Sequence, residues 1–143
     1  MENSQLERLA RDIMTNDVRT VEPGTTIQDA ANEMREVGVG SLPVCDSGKL
    51  VGIITDRDIA VRSVALGQDP RSAVVADVMS QDVTWCREDA ALSEVVHLMQ
   101  SMQLRRLPVV DEAERVVGMI ALADVAHAEI PDDIKAESLE GVS

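Results

Sequence analysis

Asp12-Ile13-Met14-Thr15-Asn16-Asp17-Val18 returns 65 residues later as Asp77-Val78-Met79-Ser80-Gln81-Asp82-Val83, and Leu42-Pro43-Val44 returns at the same offset as Leu107-Pro108-Val109. The offset grows to 66 where Gly52-Ile53-Ile54 matches Gly118-Met119-Ile120, so one extra residue has entered between Asp111 and Val116. Self-similarity at one period sets what packs against what before any local propensity is weighed. Two copies with a shared apolar face are expected to bury it against each other as a pseudo-symmetric pair, with function in the clefts between them.

Beside the repeated blocks, each copy carries one helical stripe: Ile27, Ala30, Ala31, Met34 and Val37, then Leu92, Val95, Val96, Met99 and Met102. The spacing i, i+3, i+4, i+7, i+10 is one apolar face of an amphipathic helix. Thr25 and Thr26 place a hydroxyl cap before Ile27, and Asp89 is expected to serve in the second copy. Each helix leads to a pair of short β-branched runs, 42–45 with 50–54 and 107–110 with 116–120, which read as antiparallel hairpins. The runs are apolar on both faces, so helices are expected to cover them on two sides. A second helix opens at Thr55 or Asp56 and stops at Gly67, and its partner runs from Leu122 to about Glu129. The expected organisation is repeat 1 over 8–67, a polar linker at 68–72, repeat 2 over 73–130 and an acidic, mobile tail at 131–143. Residues Gln5 to Arg11 are expected to form a short helix.

Composition limits the function. The 143 residues suit one domain-sized chain with no need of a metal or disulfide staple. Phe and Tyr are absent and Trp85 is the only aromatic residue, so the core must be aliphatic. Acids outnumber bases 26 to 13, and a net charge of −13 repels a phosphate backbone, which argues against nucleic-acid partners. Cys45 and Cys86 are isolated thiols, best read as small buried hydrophobes. His97 and His127 lack Cys or His partners at ligand spacing, so no metal site is expected. With no signal peptide and no long apolar run, the expectation is a cytoplasmic protein with no membrane partner.

The order strand, helix, strand, strand, helix, stated twice, resembles the cystathionine-β-synthase (CBS) domain pair. The resemblance rests on Asp-Ile-Met and Asp-Val-Met near the repeat starts, Leu-Pro-Val before each hairpin, and Gly52-Ile53-Ile54-Thr55-Asp56-Arg57-Asp58-Ile59, which matches the family's Gly-x-x-Thr-x-x-Asp signature. It covers about residues 8 to 130. It implies an α+β fold of tandem repeats packed as one pseudo-two-fold module, frequent homodimerisation, and adenosine-containing ligands in two clefts. AMP, ADP, ATP, NAD(H) and S-adenosylmethionine are the ligand candidates, as regulatory ligands and not as required cofactors.

The residues carry suitable chemistry on their own. Thr55 ends a strand and Asp58 lies one turn on, so a hydroxyl, helix N–H groups and a carboxylate share one small space. A carboxylate accepts two hydrogen bonds from a ribose diol, and Arg57 adds a fork-shaped phosphate donor. Thr-x-x-Asp fits equally a capping box that merely closes a helix start. The resemblance places adenine in an apolar slot bordered by Val18, Thr20, Leu42 and Pro43. In the second copy the corresponding set is Val83, Trp85, Leu107, Pro108 and Asp124, with Ala121 in place of the hydroxyl and Ala123 in place of Arg57. Its phosphate grip is expected to be weaker, although Arg105 and Arg106 replace Gly40 and Ser41 and offer two guanidinium groups. Trp85 suits either stacking on a base or filling the slot. No nucleophile, catalytic carboxylate pair or hydrolysis loop stands out, so the chain reads as a regulatory module acting on an unidentified downstream protein, not as an enzyme. The alternative is a ligand-independent dimeric scaffold.

Overall fold

Thr26 stops the chain from entering a helix until Ile27, because its Oγ1 accepts the Asp29 N–H at 3.1 Å. The computed structural model describes residues 8–129, and in it α2 (Ile27–Val37) begins at this cap, after a short α1 (Ala10–Ile13). The hairpin β1 (Ser41–Asp46) and β2 (Lys49–Thr55) follows, then the single turn α3 (Asp56–Asp58), which runs on as a π-wound segment over Ile59–Val64. A 3₁₀ turn at Val75–Asp77 leads to the second copy: β3 (Cys86–Arg87), α4 (Leu92–Ser101), β4 (Arg106–Val110), β5 (Val116–Ala121) and α5 (Leu122–Glu129). This is the expected α+β order in both copies, except that among the described residues the first strand of repeat 1 is reduced to an isolated bridge at Val21. Among the described residues no helix is long and apolar enough to cross a membrane.

The chain divides into two compact units. Unit one holds Arg19–Val83 with Ala113–Val116, and unit two holds 8–18, Thr84–Glu112 and 117–129. In unit one β1 and β2 are antiparallel, with Leu42 opposite Ile54 and Ser41 opposite Thr55. Val21 adds a parallel bridge to Val44, its N–H donating to Pro43 O at 3.1 Å while its own carbonyl accepts Cys45 N–H at 2.8 Å. Ser80 and Ile53 exchange two antiparallel bonds of 2.9 Å. Ile27, Ala30 and Met34 from α2 pack with Val21, Leu42, Val44, Ile54, Val75 and Val78 into one core.

Unit two repeats the plan. β3 lies parallel to β4, pairing Cys86 with Val109, and β4 also neighbours β5. Thr15 and Met119 exchange antiparallel bonds of 2.8 and 3.0 Å. Leu92, Val95 and Met99 of α4 join Ala10, Cys86, Leu107, Val109, Ile120 and Val125 in its core. Branched aliphatic side chains fill both cores without an aromatic, each fully buried one contributing on the order of 1.5–3 kcal/mol.

The repeated motifs touch each other crosswise. A Cβ on Gly52 would stand 2.7 Å from Ser80 O and 3.1 Å from Met79 Sδ, and one on Gly118 would run into the side chain of Met14. The glycine that opens the last strand motif of each repeat is therefore the seat for the Asp-x-Met block of the other repeat.

Several expectations need correction. Ala91, not Asp89, precedes α4 and makes no side-chain cap bond. The Leu92 N–H is instead taken by the Arg8 carbonyl at 3.0 Å, and Asp89 accepts from Arg87 at 3.4 Å. The stripes are shorter than their sequence pattern, because Val37 and Met102 are exposed. Four successive residues of β1 are buried, as a doubly covered strand requires, but β2 alternates between buried and half-buried positions. Of the helix expected over 5–11, Ala10 and Arg11 fall in α1 (Ala10–Ile13), while Arg8 and Leu9 lie outside it. The expected start of that helix at 5–7, the tail at 131–143 and the side chain of His127 lie outside the described residues.

Candidate functional site

β2 delivers Thr55 to the start of α3 in extended conformation, and a reciprocal capping box closes there. Thr55 Oγ1 accepts Asp58 N–H at 3.0 Å and Thr55 N–H donates to Asp58 Oδ2 at 3.0 Å. The capping role of this pair is thus realised, and it uses only half of the carboxylate. Among the described residues Asp58 Oδ1 has a single charged neighbour, Arg62 Nε, at a loose 3.9 Å. The Asp58 side chain is 16% exposed and Arg62 is 57% exposed. One oxygen anchors the turn while the other keeps free lone pairs at a shielded position, which is what accepting a hydroxyl hydrogen bond demands. Arg57 is exposed and has no ion pair among the described residues.

The same end of unit one gathers most of the first predicted set. Val21 runs parallel to β1, so residues just before it lie toward Ser41, which pairs with Thr55. Thr20 is exposed at this edge and its hydroxyl bonds the Cys45 thiol, partly offsetting the upward push that burial gives that thiol. Leu42 and Pro43 are buried, and the Leu42 side chain is committed to the core. Val18 falls in unit two, where its N–H donates to Asn16 O at 3.1 Å.

A depression of about 420 Å³ adjoins this end, lined by Ala31, Met34, Arg35, Gly38, Val39, Gly40, Asp56 and Ile59. Gly40 and Asp56 join the two features, since Asp56 N–H donates to Gly40 O at 2.8 Å and a Cβ on Gly40 would stand 3.0 Å from the Asp56 carboxylate. Sequence reasoning missed this pair. The signal was present: where Gly40 faces Asp56 in one copy, Arg105 and Leu122 stand in the other.

In unit two the equivalent end is plainer. Leu122 N–H donates to Arg105 O at 2.8 Å, and Ala121 brings no hydroxyl to the helix start. Arg105 and Arg106 are exposed with no ion pair among the described residues, and Asp124 is exposed. Leu107 and Pro108 are buried, while Val83 falls in unit one. Trp85 is 38% exposed and stands outside the core, so it does not fill a buried slot here. Burial pushes the Cys86 thiol up to about 12, keeping it protonated and inert. His97 is exposed, and no three His, Cys, Asp or Glu side chains are grouped for a metal among the described residues.

Comparison with known proteins gives one consistent picture. The sequence model of the CBS domain matches residues 10–64 and again residues 75–130. The CBS domain-containing protein YhcV of Bacillus subtilis is 39% identical over 133 residues, covering 93% of this chain and 94% of YhcV. The crystal structure of Hypoxic Response Protein I with two coordinated zinc ions is 37% identical with a TM-score of 0.77, covering 87% of this chain and 100% of that one. The CBS domain pair of protein MJ0100, solved with 5-methylthioadenosine and S-adenosyl-L-methionine, is 29% identical with a TM-score of 0.70, covering 96% and 99%.

Proposed function

This chain belongs to the CBS domain family as a tandem pair, and on that basis we propose that it is a regulatory module that binds an adenosine-containing ligand and passes the state of the site to another protein. The observation that carries the reading is the divided Asp58 carboxylate, with Oδ2 spent on the Thr55 cap and Oδ1 left for a ribose hydroxyl. The adenosine compounds held by the MJ0100 pair support the ligand class. Thr20, the backbone edge at Leu42 and Pro43, Thr55 and Arg57 complete the first site, with Val18 as the predicted reader of the base edge. Val83, Trp85, Arg105, Arg106, Leu107, Pro108 and Asp124 form a second, weaker one. AMP, ADP, ATP, NAD(H) and S-adenosylmethionine remain the candidates, and the module acts in the cytoplasm as a homodimer without catalysing a reaction. The ligand-independent scaffold is the second reading, favoured by the capping box, which by itself accounts for Thr55 and Asp58 at this spacing.

Calorimetry with AMP, ATP, NAD and S-adenosylmethionine tests the reading, with Trp85 fluorescence as a second signal. Asp58→Asn is the informative variant, because an amide oxygen still caps Thr55 while the anionic acceptor is lost. Hydrogen bonds to charged groups contribute about 1.5–3 kcal/mol, so affinity should fall at least about tenfold with Tm nearly unchanged. Equal affinity in Asp58→Asn would remove Asp58 from the site, and no heat with any of the four compounds would favour the scaffold.

A further inference from the structure

The helix that leaves Asp58 does not continue as an α-helix. Ile59–Val64 is π-wound, with Ala65 N–H on the Ala60 carbonyl at 3.0 Å. Such turns are rare and occur mostly as single insertions at functional sites. Two further features mark the segment as one held in its less comfortable winding.

Ser63 is fully buried and its Oγ has no hydrogen-bond partner, and the same holds for Oε1 of Gln68, just past the segment. These are two of the three buried, partnerless side-chain polar atoms among the described residues. Buried hydroxyls are normally bonded. In an α-helix a serine has an acceptor in the carbonyl four residues back, here Ile59, and in the wider turn it has none. Arg62, in the middle of the segment, meanwhile reaches in two directions. Its Nε stands 3.9 Å from Asp58 Oδ1, and its Nη1 donates to the Val78 carbonyl at 3.3 Å. One guanidinium thus ties the carboxylate proposed to hold ligand to the chain just after the 3₁₀ turn.

We propose that Ile59–Val64 is a two-state element, π-wound while Arg62 is tied to Asp58 and α-wound when a ribose diol takes Asp58 Oδ1, so that occupancy of the site rewinds the helix behind it. The proposal rests on the reading of Asp58 as the ligand carboxylate. Removing one residue from the turn rotates the residues beyond it by roughly 100°. The residues that turn are Val61, Val64 and Leu66, which are 53%, 64% and 73% exposed and form an apolar face that a partner protein can read. Gly67, at φ 73°, sits where the chain must absorb the change. A ligand shifts such an equilibrium only by its unequal affinity for the two windings, so any substitution that biases the winding must alter affinity in return.

Ser63→Ala deletes a hydroxyl that is orphaned only in the π state and therefore favours that state. It should weaken AMP binding about five- to tenfold without touching the ligand. Amide exchange of the full chain, followed by NMR, should show protection at residues 63–66 rising about tenfold or more when AMP saturates the wild type, with the α2 amides unchanged. Unchanged AMP affinity in Ser63→Ala, or unchanged protection at 63–66 in a chain that does bind AMP, overturns the proposal. Arg62→Gln in the absence of ligand separates this outcome from failure of the ligand reading. Cutting the tie should by itself raise protection at 63–66 in the empty protein, and no change there overturns the two-state element whether or not any adenosine compound binds.

Discussion

Replacing Gly52 by alanine sets a methyl group 2.7 Å from Ser80 O and 3.1 Å from Met79 Sδ. The carbonyl cannot step aside, because Ser80 and Ile53 hold each other through two 2.9 Å backbone bonds. Overpacking costs about 1–3 kcal/mol and a weakened ladder bond about 1 kcal/mol, while the stiffer unfolded chain returns about 0.4–1 kcal/mol. The net loss is about 2 kcal/mol, or about 8 °C in Tm for a chain of this size. Gly118→Ala meets a different obstacle, the Met14 side chain, with Cγ 2.7 Å and Cβ 3.0 Å away. Rotation of the Met14 side chain carries Sδ and Cγ away and leaves only the Cβ contact at 3.0 Å, so the loss should be nearer 1 kcal/mol. Double-mutant cycles separate the two cases. Met14→Ala should relieve most of the Gly118→Ala penalty, giving a coupling of about 1 kcal/mol, whereas Met79→Ala leaves the carbonyl in place and should couple to Gly52→Ala by less than about 0.5 kcal/mol. Thermal and urea melts of the six variants are the assay. Equal rescue in both cycles, or a Gly52→Ala variant as stable as the wild type, would refute the crosswise seating of the two motifs.

Thr26→Ala should cost about 1 kcal/mol and lower Tm by a few degrees, while Asp89→Ala, which breaks only the exposed contact with Arg87, should change Tm by less than the error of a melt; the reverse order would restore Asp89 as a cap. Cys45 and Cys86 should resist Ellman's reagent at pH 8 in the native protein and react together once urea unfolds it, since burial raises both thiols. Because the folded Cys86 thiol titrates at about 12 against 9.0 for a free one, the unfolded chain gives up its proton first, so this group's contribution to stability is intact below pH 9 and is lost between about 9 and 12. The urea midpoint should therefore fall more steeply above pH 9 in the wild type than in Cys86→Ala, and identical slopes would falsify the assignment.

The hairpins, the α2 cap and the stop at Gly67 were legible because each is a local event: a run of β-branched residues, a hydroxyl before a stripe, a glycine at φ 73°. The crosswise contacts were not, since repetition says which residues resemble each other and is silent on whether Met14 meets Gly52 or Gly118. Asp89 failed as a cap for a tertiary reason, the Arg8 carbonyl having claimed Leu92 N–H first. The π winding left no trace because six residues are too few to tell its period from that of an α-helix. At the site, Thr55 and Asp58 were readable because capping and hydroxyl binding ask for the same residue types at the same spacing. Gly40 and Asp56 were missed, and the one signal for them was a comparison of the copies, where glycine and an acid in one stand against arginine and leucine in the other.

The crosswise seating also sets an order of events during synthesis. Ile53 and Ser80 are 27 residues apart, so their ladder can close soon after both have been made, but Thr15 must wait for Met119, 104 residues later. Two doublings of loop length add about 1.2 kcal/mol to the entropy of closure, and until it is met the segment around Met14 is an unpaired edge with apolar side chains and no partner strand. Of the two sides of this pairing, the one made earlier is thus among the last segments to find its place, because its partner strand is made so much later.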